Sequence, residues 1–118
     1  MNINNNIHKD DLKIIGKIRE LPARQQIALW VILKNFHKSE RTFFTTSDLI
    51  EKMGKFLVEK DPEKSGHIMG GIISSLSRNK VIEPVSGGRQ PIWQVVPEIH
   101  KDAKKYEKAI FPVTTYWP

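Results

Sequence analysis

Ile72-Ile73-Ser74-Ser75-Leu76-Ser77-Arg78-Asn79-Lys80-Val81-Ile82 changes its periodicity part-way along. Its first half continues a stripe formed by Ile68, Met69, Ile72, Ile73 and Leu76, the 3.6-residue spacing of a helix buried on one face. Its second half, Val81-Ile82 followed by Glu83-Pro84-Val85, is β-branched and reads as a strand. Between the two lies Asn79, a residue that tolerates the left-handed backbone with which helices commonly end. The stretch predicts a helix over Glu63–Asn79 that runs straight into a strand.

On the C-terminal side, the turn Ser86-Gly87-Gly88-Arg89-Gln90 leads into Pro91-Ile92-Trp93-Gln94-Val95-Val96. Two extended segments around a Gly-Gly turn predict a β-hairpin. Pro84 and Pro91 cannot donate ladder bonds, so both strands should be short or lie at edges. Trp93 alternates with Val95 and is expected to face the core. On the N-terminal side, Thr42-Phe43-Phe44-Thr45 reads as a small strand. Thr46 or Ser47 then offers an N-cap for a helix to about Phe56, with Asp48 and Glu51 in its first turn. A charged loop, Leu57–Glu63, separates that helix from the next.

Further back, residues 23–37 contain Ile27-Ala28-Leu29-Trp30-Val31-Ile32-Leu33 and Phe36. Apolar residues point in every direction, so this helix must be covered on several sides. Pro22 suits its first turn, and Leu21 before that proline ends the segment preceding it. Amphipathic helices over 9–21 and 98–110 are the natural covers. Residues 1–8, rich in asparagine, are expected to form a flexible tail, and 111–118 an apolar C-terminal tail.

The order is helix, short strand, helix, helix, strand, glycine turn, strand, with a helix added at each end. Over about residues 23–97 it resembles the winged-helix (winged helix-turn-helix) superfamily, with no subfamily singled out. Residues 72–82 look like the end of a recognition helix entering the first wing strand, and Gly87-Gly88-Arg89 matches a wing tip. The fold class expected is α+β, mainly α. It comprises one winged-helix domain over 9–110, with its core at 23–97 and additional N- and C-terminal helices.

The resemblance implies that helix 63–79 enters the major groove of DNA. The spacing supplies a separate check. If the isoleucine stripe faces inward, His67, Gly71, Ser74 and Arg78 face outward, with Lys64 close by and Gly70 at the margin. That face is small, polar and basic. Small residues let a backbone approach base edges and phosphates, and the cations supply donors. Lys80 and Arg89 complete the proposed DNA contacts, Arg89 from the wing at 86–90 onto the backbone or a narrow minor groove. A structural reading stands beside this one. Gly70-Gly71 costs a helix about 1 kcal/mol per glycine relative to alanine, and such glycines often mark close helix packing. Arg78 and Lys80 also suit a helix C-terminus electrostatically. Thr45, Thr46 and Ser47 are explained equally by capping and by phosphate contact at a helix N-terminus.

Charge is consistent with a polyanionic partner: 19 Lys and Arg against 13 Asp and Glu give +6 over 118 residues. The excess is spread over 24–41, 63–89 and 101–108, so it carries little weight alone. Cysteine is absent, which removes disulfides and cysteine-based metal sites. His8, His37, His67 and His100 have no metal-ligand spacing. No phosphate loop, dinucleotide fingerprint or nucleophile elbow occurs. The expectation is a non-enzymatic, cofactor-free and metal-free binder of double-stranded DNA, a transcriptional regulator or DNA-handling accessory factor. With neither a signal peptide nor an apolar run long enough for a bilayer, it is expected in the cytoplasm without membrane contact, and at the nucleoid in a bacterium or archaeon. The competing expectation is a protein-interaction module on the same fold without direct DNA contact. Its support is the all-round apolar helix and the tail 111–118, which with the terminal helices is a candidate homodimer surface.

Overall fold

A computed structural model describes residues 12–36, 43–53, 62–86 and 91–114. In chain order the elements are α1 (helical over 12–19), α2 (Ala23–Asn35), β1 (Phe43–Phe44), α3 (Thr46–Met53) and α4 (Pro62–Arg78). They continue with β2 (Ile82–Ser86), β3 (Ile92–Val95), α5 (Pro97–His100) and α6 (Ala103–Thr114). The fold is α+β and mainly helical, with one three-stranded antiparallel sheet in the order β1-β3-β2. This arrangement is compatible with a winged helix. None of the described helices is long and apolar enough to cross a membrane.

α2 buries Gln26, Ile27, Ala28, Leu29, Val31, Ile32 and Leu33, residues spread around the whole helix. α6 makes the most extensive contact with it, and α3 and α4 cover other sides. Ile18 and Leu21 from the α1 end join the same core. Trp30 is only half-buried, its ring lying 4.8 Å beneath the Lys34 ammonium. At its far end α2 is tied to the sheet by Phe36, which stacks on Phe44 of β1 with ring centroids 5.3 Å apart.

The sheet is assembled from distant segments. Phe43 pairs with Gln94 and Phe44 with Trp93, which places the short β1 against β3. β2 pairs with β3 through Ile82–Val95, Glu83–Gln94 and Pro84–Trp93, then loses register between Pro84 and Ser86. Val85 is the extra residue there and is 42% exposed. Pro84 lies on an edge strand and Pro91 just ahead of the central one, where neither removes an interior ladder bond. Trp93 packs partly into the core as expected, and Val95 is buried beside it.

Three local expectations are corrected. Pro22 is the N-cap of α2, one position ahead of the first turn, with its carbonyl accepting from the Gln26 N–H at 3.0 Å. The helix expected over 98–110 is two helices, broken at Lys101-Asp102. Asp102 N–H bonds back to Ile99 at 3.2 Å, and its carbonyl accepts from Tyr106 N–H at 3.2 Å. Asp102 therefore closes α5 with a tight turn and opens α6 as a cap-type residue. Third, α6 runs to Thr114, four residues into the segment expected as a tail. The segment 1–8, the charged loop before α4 apart from its last residues, the wing tip 87–90 with Arg89, and 115–118 lie outside the described residues, as do His8 and His37.

Gln26 is the principal polar residue in this core. Its Nε2 donates to the carbonyls of Leu21 at 2.8 Å and Arg19 at 3.2 Å, satisfying the end of α1. Replacing Gln26 with leucine keeps the volume but strips both carbonyls of their donor. Urea denaturation should show a loss of about 1–2 kcal/mol, and an unchanged midpoint would mean that α1 is not anchored here.

Candidate nucleic-acid interface

α4 begins at Pro62, with Glu63 in its first turn. It buries Ser65, Met69, Ile72, Ile73 and Leu76, and Ile68 packs partly against the core. The expected stripe is therefore the inward face, less complete at Ile68 than its spacing implied. The opposite face is uncovered. Lys64, His67, Gly70, Gly71, Ser74 and Arg78 are all exposed. Among the described residues, Glu63 at the helix start is the only carboxylate on this helix.

The glycines bear on the packing reading of this face. A β-carbon built on Gly66, Gly70 or Gly71 would meet nothing within 4 Å. Close packing against another described segment does not explain them. They leave an open strip of backbone along the helix, flanked by Lys64 and His67 at one end and Arg78 at the other.

The C-terminus of α4 is closed by two reciprocal bonds. Lys80 N–H donates to Ser77 at 3.0 Å, and Val81 N–H donates to Leu76 at 3.1 Å. This is a Schellman arrangement, with Val81 and Leu76 both fully buried as its apolar contact. The left-handed residue is Lys80, with φ of 59°, and not Asn79 as expected. Burial of Val81 fixes which residue must turn, and Asn79 instead donates from Nδ2 to the Ser75 carbonyl at 2.8 Å. A lysine in this conformation carries local strain that glycine would not. It also presents an exposed cation at the end of the small-residue strip.

At α3, Thr45 and Asp48 form a reciprocal cap. Thr45 N–H donates to Asp48 Oδ2 at 2.9 Å, and Asp48 N–H donates to Thr45 Oγ1 at 3.1 Å. The cap is therefore Thr45, ahead of both expected candidates, Thr46 and Ser47. The Asp48 carboxylate occupies this helix end, so capping accounts for Thr45, while Thr46 and Ser47 lie just beyond it in the first turn.

Lys64, His67, Gly71, Ser74 and Arg78 thus share one exposed face of α4, Lys80 is exposed just past its C-terminus, and Arg89 lies outside the described residues. Sequence reading missed Lys17 of α1. Its Nζ lies 3.4 Å from the Lys80 carbonyl oxygen, which joins α1 to the end of α4. The four-residue spacing of Lys13 and Lys17 marks a basic helix face, but nothing local relates it to Lys80. No group of three or more metal-ligating side chains occurs among the described residues. Comparison with protein-family models, curated proteins and solved structures finds no match to this chain.

Two substitutions test the local physics without any ligand. Gly71→Ala fits open space and should raise stability by about 1 kcal/mol. A loss instead would show that the site is crowded. Lys80→Gly relieves the left-handed strain and should also raise stability by about 1 kcal/mol. Thermal melts read both changes.

Proposed function

We propose that this chain is a winged-helix protein that binds double-stranded DNA, with α4 in the major groove and the wing at 86–90 on the backbone or minor groove. One observation carries the reading: the outward face of α4 is open, narrow and cationic, although its glycines serve no packing purpose within the described residues. Two exposed glycines in a helix interior lower stability by about 1 kcal/mol each relative to alanine. That cost is explained when another surface must approach the helix backbone closely. A duplex offers such a surface, and Lys64, Arg78 and Lys80 meet its phosphates while His67 and Ser74 face base edges.

The element order supports the same assignment. A helix pair, α3 and α4, precedes a hairpin whose second strand also receives the short β1. β2 ends at Ser86 and β3 begins at Ile92, so the residues proposed as the wing tip, Gly87-Gly88-Arg89, fall between the two paired strands in sequence. The reading is of a regulator or accessory factor without catalytic chemistry. A second reading, a protein-interaction module or homodimer, draws on Phe43, which is 49% exposed on the edge strand, and on Leu12, 66% exposed on α1.

A titration of random-sequence and mixed-site duplexes at several salt concentrations tests the proposal. Affinity should fall steeply with salt, each phosphate contact contributing about −0.9 to the log–log slope. Replacing Lys64 and Arg78 together with alanine should flatten that slope by about 1.8. Arg89→Ala should weaken all sequences alike, whereas changes at His67 or Ser74 should alter preference. Gly71→Ala should weaken binding severalfold while the fold gains stability. Failure of the unmodified protein to bind any duplex at low salt would sink the DNA reading and leave the protein-interaction reading.

A further inference from the structure

Beside the C-terminal end of α4, two adjacent open depressions share Lys17 and Glu98. One, of about 320 Å³, is lined by Lys13, Ile14, Lys17, Glu98 and Lys101. The other, of about 330 Å³, extends past Ser77 and Lys80 to Glu83 and Pro84. Four lysines from α1, the α4 end and the α5–α6 turn therefore border one continuous arc. Two carboxylates oppose them. Glu83 accepts a hydrogen bond from Gln94 Nε2 at 2.7 Å, and Glu98 sits between the two depressions. The balance over the arc is +2, four lysines less two glutamates. Among the described residues, no carboxylate is within ion-pair distance of these lysines.

We infer that this arc is a second phosphate-contacting surface, which holds the duplex backbone flanking the groove occupied by α4. The inference rests on the DNA reading of α4 and extends it to residues outside the winged-helix core. Three features favour a backbone over a small anionic metabolite. The depressions are shallow and open, whereas a metabolite site encloses its ligand among convergent polar groups. The donors are lysines, point charges that neutralise phosphate without the fork of arginine. Lys80 belongs both to the end of the α4 face and to the arc, so one surface continues into the other. Lys13 and Lys17 are four residues apart, about 6 Å along the helix axis, close enough for the two ammonium groups to reach neighbouring phosphates of one strand.

Lys80 gains a reason for its conformation under this inference. Its strained backbone puts a cation where the two surfaces meet, and its carbonyl accepts from Lys17, which orients α1 toward the same end.

The test uses the full chain carrying Lys13→Gln, Lys17→Gln and Lys101→Gln together, with melting curves to verify folding. All three side chains are exposed or half-exposed, so the fold should persist. Duplexes long enough to extend beyond the α4 site are titrated across salt. The log–log slope should flatten by about 2.7, with sequence preference unchanged, and the affinity ratio to the unmodified protein should shrink about twentyfold between 0.1 and 0.3 M salt. An unchanged slope in the triple variant, while the unmodified protein binds and the Lys64 and Arg78 changes still weaken it, overturns this inference and leaves the α4 reading standing. No binding by the unmodified protein defeats the α4 reading itself and this inference with it. A melting-temperature rise with inorganic pyrophosphate that the triple variant abolishes, with duplex binding unaffected, also overturns the proposal and assigns the arc to a small phosphorylated ligand.

Discussion

The burial of α2 organises everything around it. A helix with apolar side chains on all sides cannot rest on a single layer, because each uncovered leucine or isoleucine would forfeit about 1.5–3 kcal/mol of burial. The chain meets that demand from both ends. α6 returns from beyond the sheet to cover one side, α3 and α4 take others, and the end of α1 is held by Gln26. Phe36 stacked on Phe44 then sets where the sheet begins relative to the helices. The sheet is too small to form a core of its own, and it is positioned as an extension of the α2 core.

With its inner side committed to that core, α4 has a free outer side, and the free side is built against stability. Glycines at 70 and 71 weaken the helix, and Lys80 adopts a backbone that glycine would adopt more easily. Among the described residues the glycines serve no packing contact, whereas the turn at Lys80 is set by the burial of Val81, and only the choice of lysine there is left unexplained by packing. Departures from local preference of this kind concentrate where a surface meets something outside the chain. The cap at Thr45 is the opposite case: a residue that sequence leaves open to a phosphate role is engaged with Asp48 at its own helix end.

Much of the fold was legible from local pattern because the pattern is periodic. Five apolar residues at helical spacing specified the inner face of α4, and the residues placed opposite them by 100° per residue are the exposed ones. Ile68 is the partial exception, since periodicity gives direction and leaves the depth of cover undetermined. The break at Lys101-Asp102 was missed because Ile99, Ala103, Tyr106 and Ile110 keep a helical spacing straight through it. Lys80 was missed in favour of Asn79 because residue preference is a weaker force than burying Val81.

Sequence by itself determined the order and type of the elements as far as Val96, the two faces of α4, the edge placement of the Pro84 strand, and the absence of cysteine chemistry. These follow from neighbours a few residues apart, whose geometry the backbone dictates. Tertiary structure alone decided that β1 pairs with β3, that α6 is the main cover of α2, that the glycines of α4 face empty space, and that Lys13, Lys17, Lys80 and Lys101 border one surface. Each of those depends on segments tens of residues apart meeting around a shared core, and no local spacing encodes which distant side chains that core brings together.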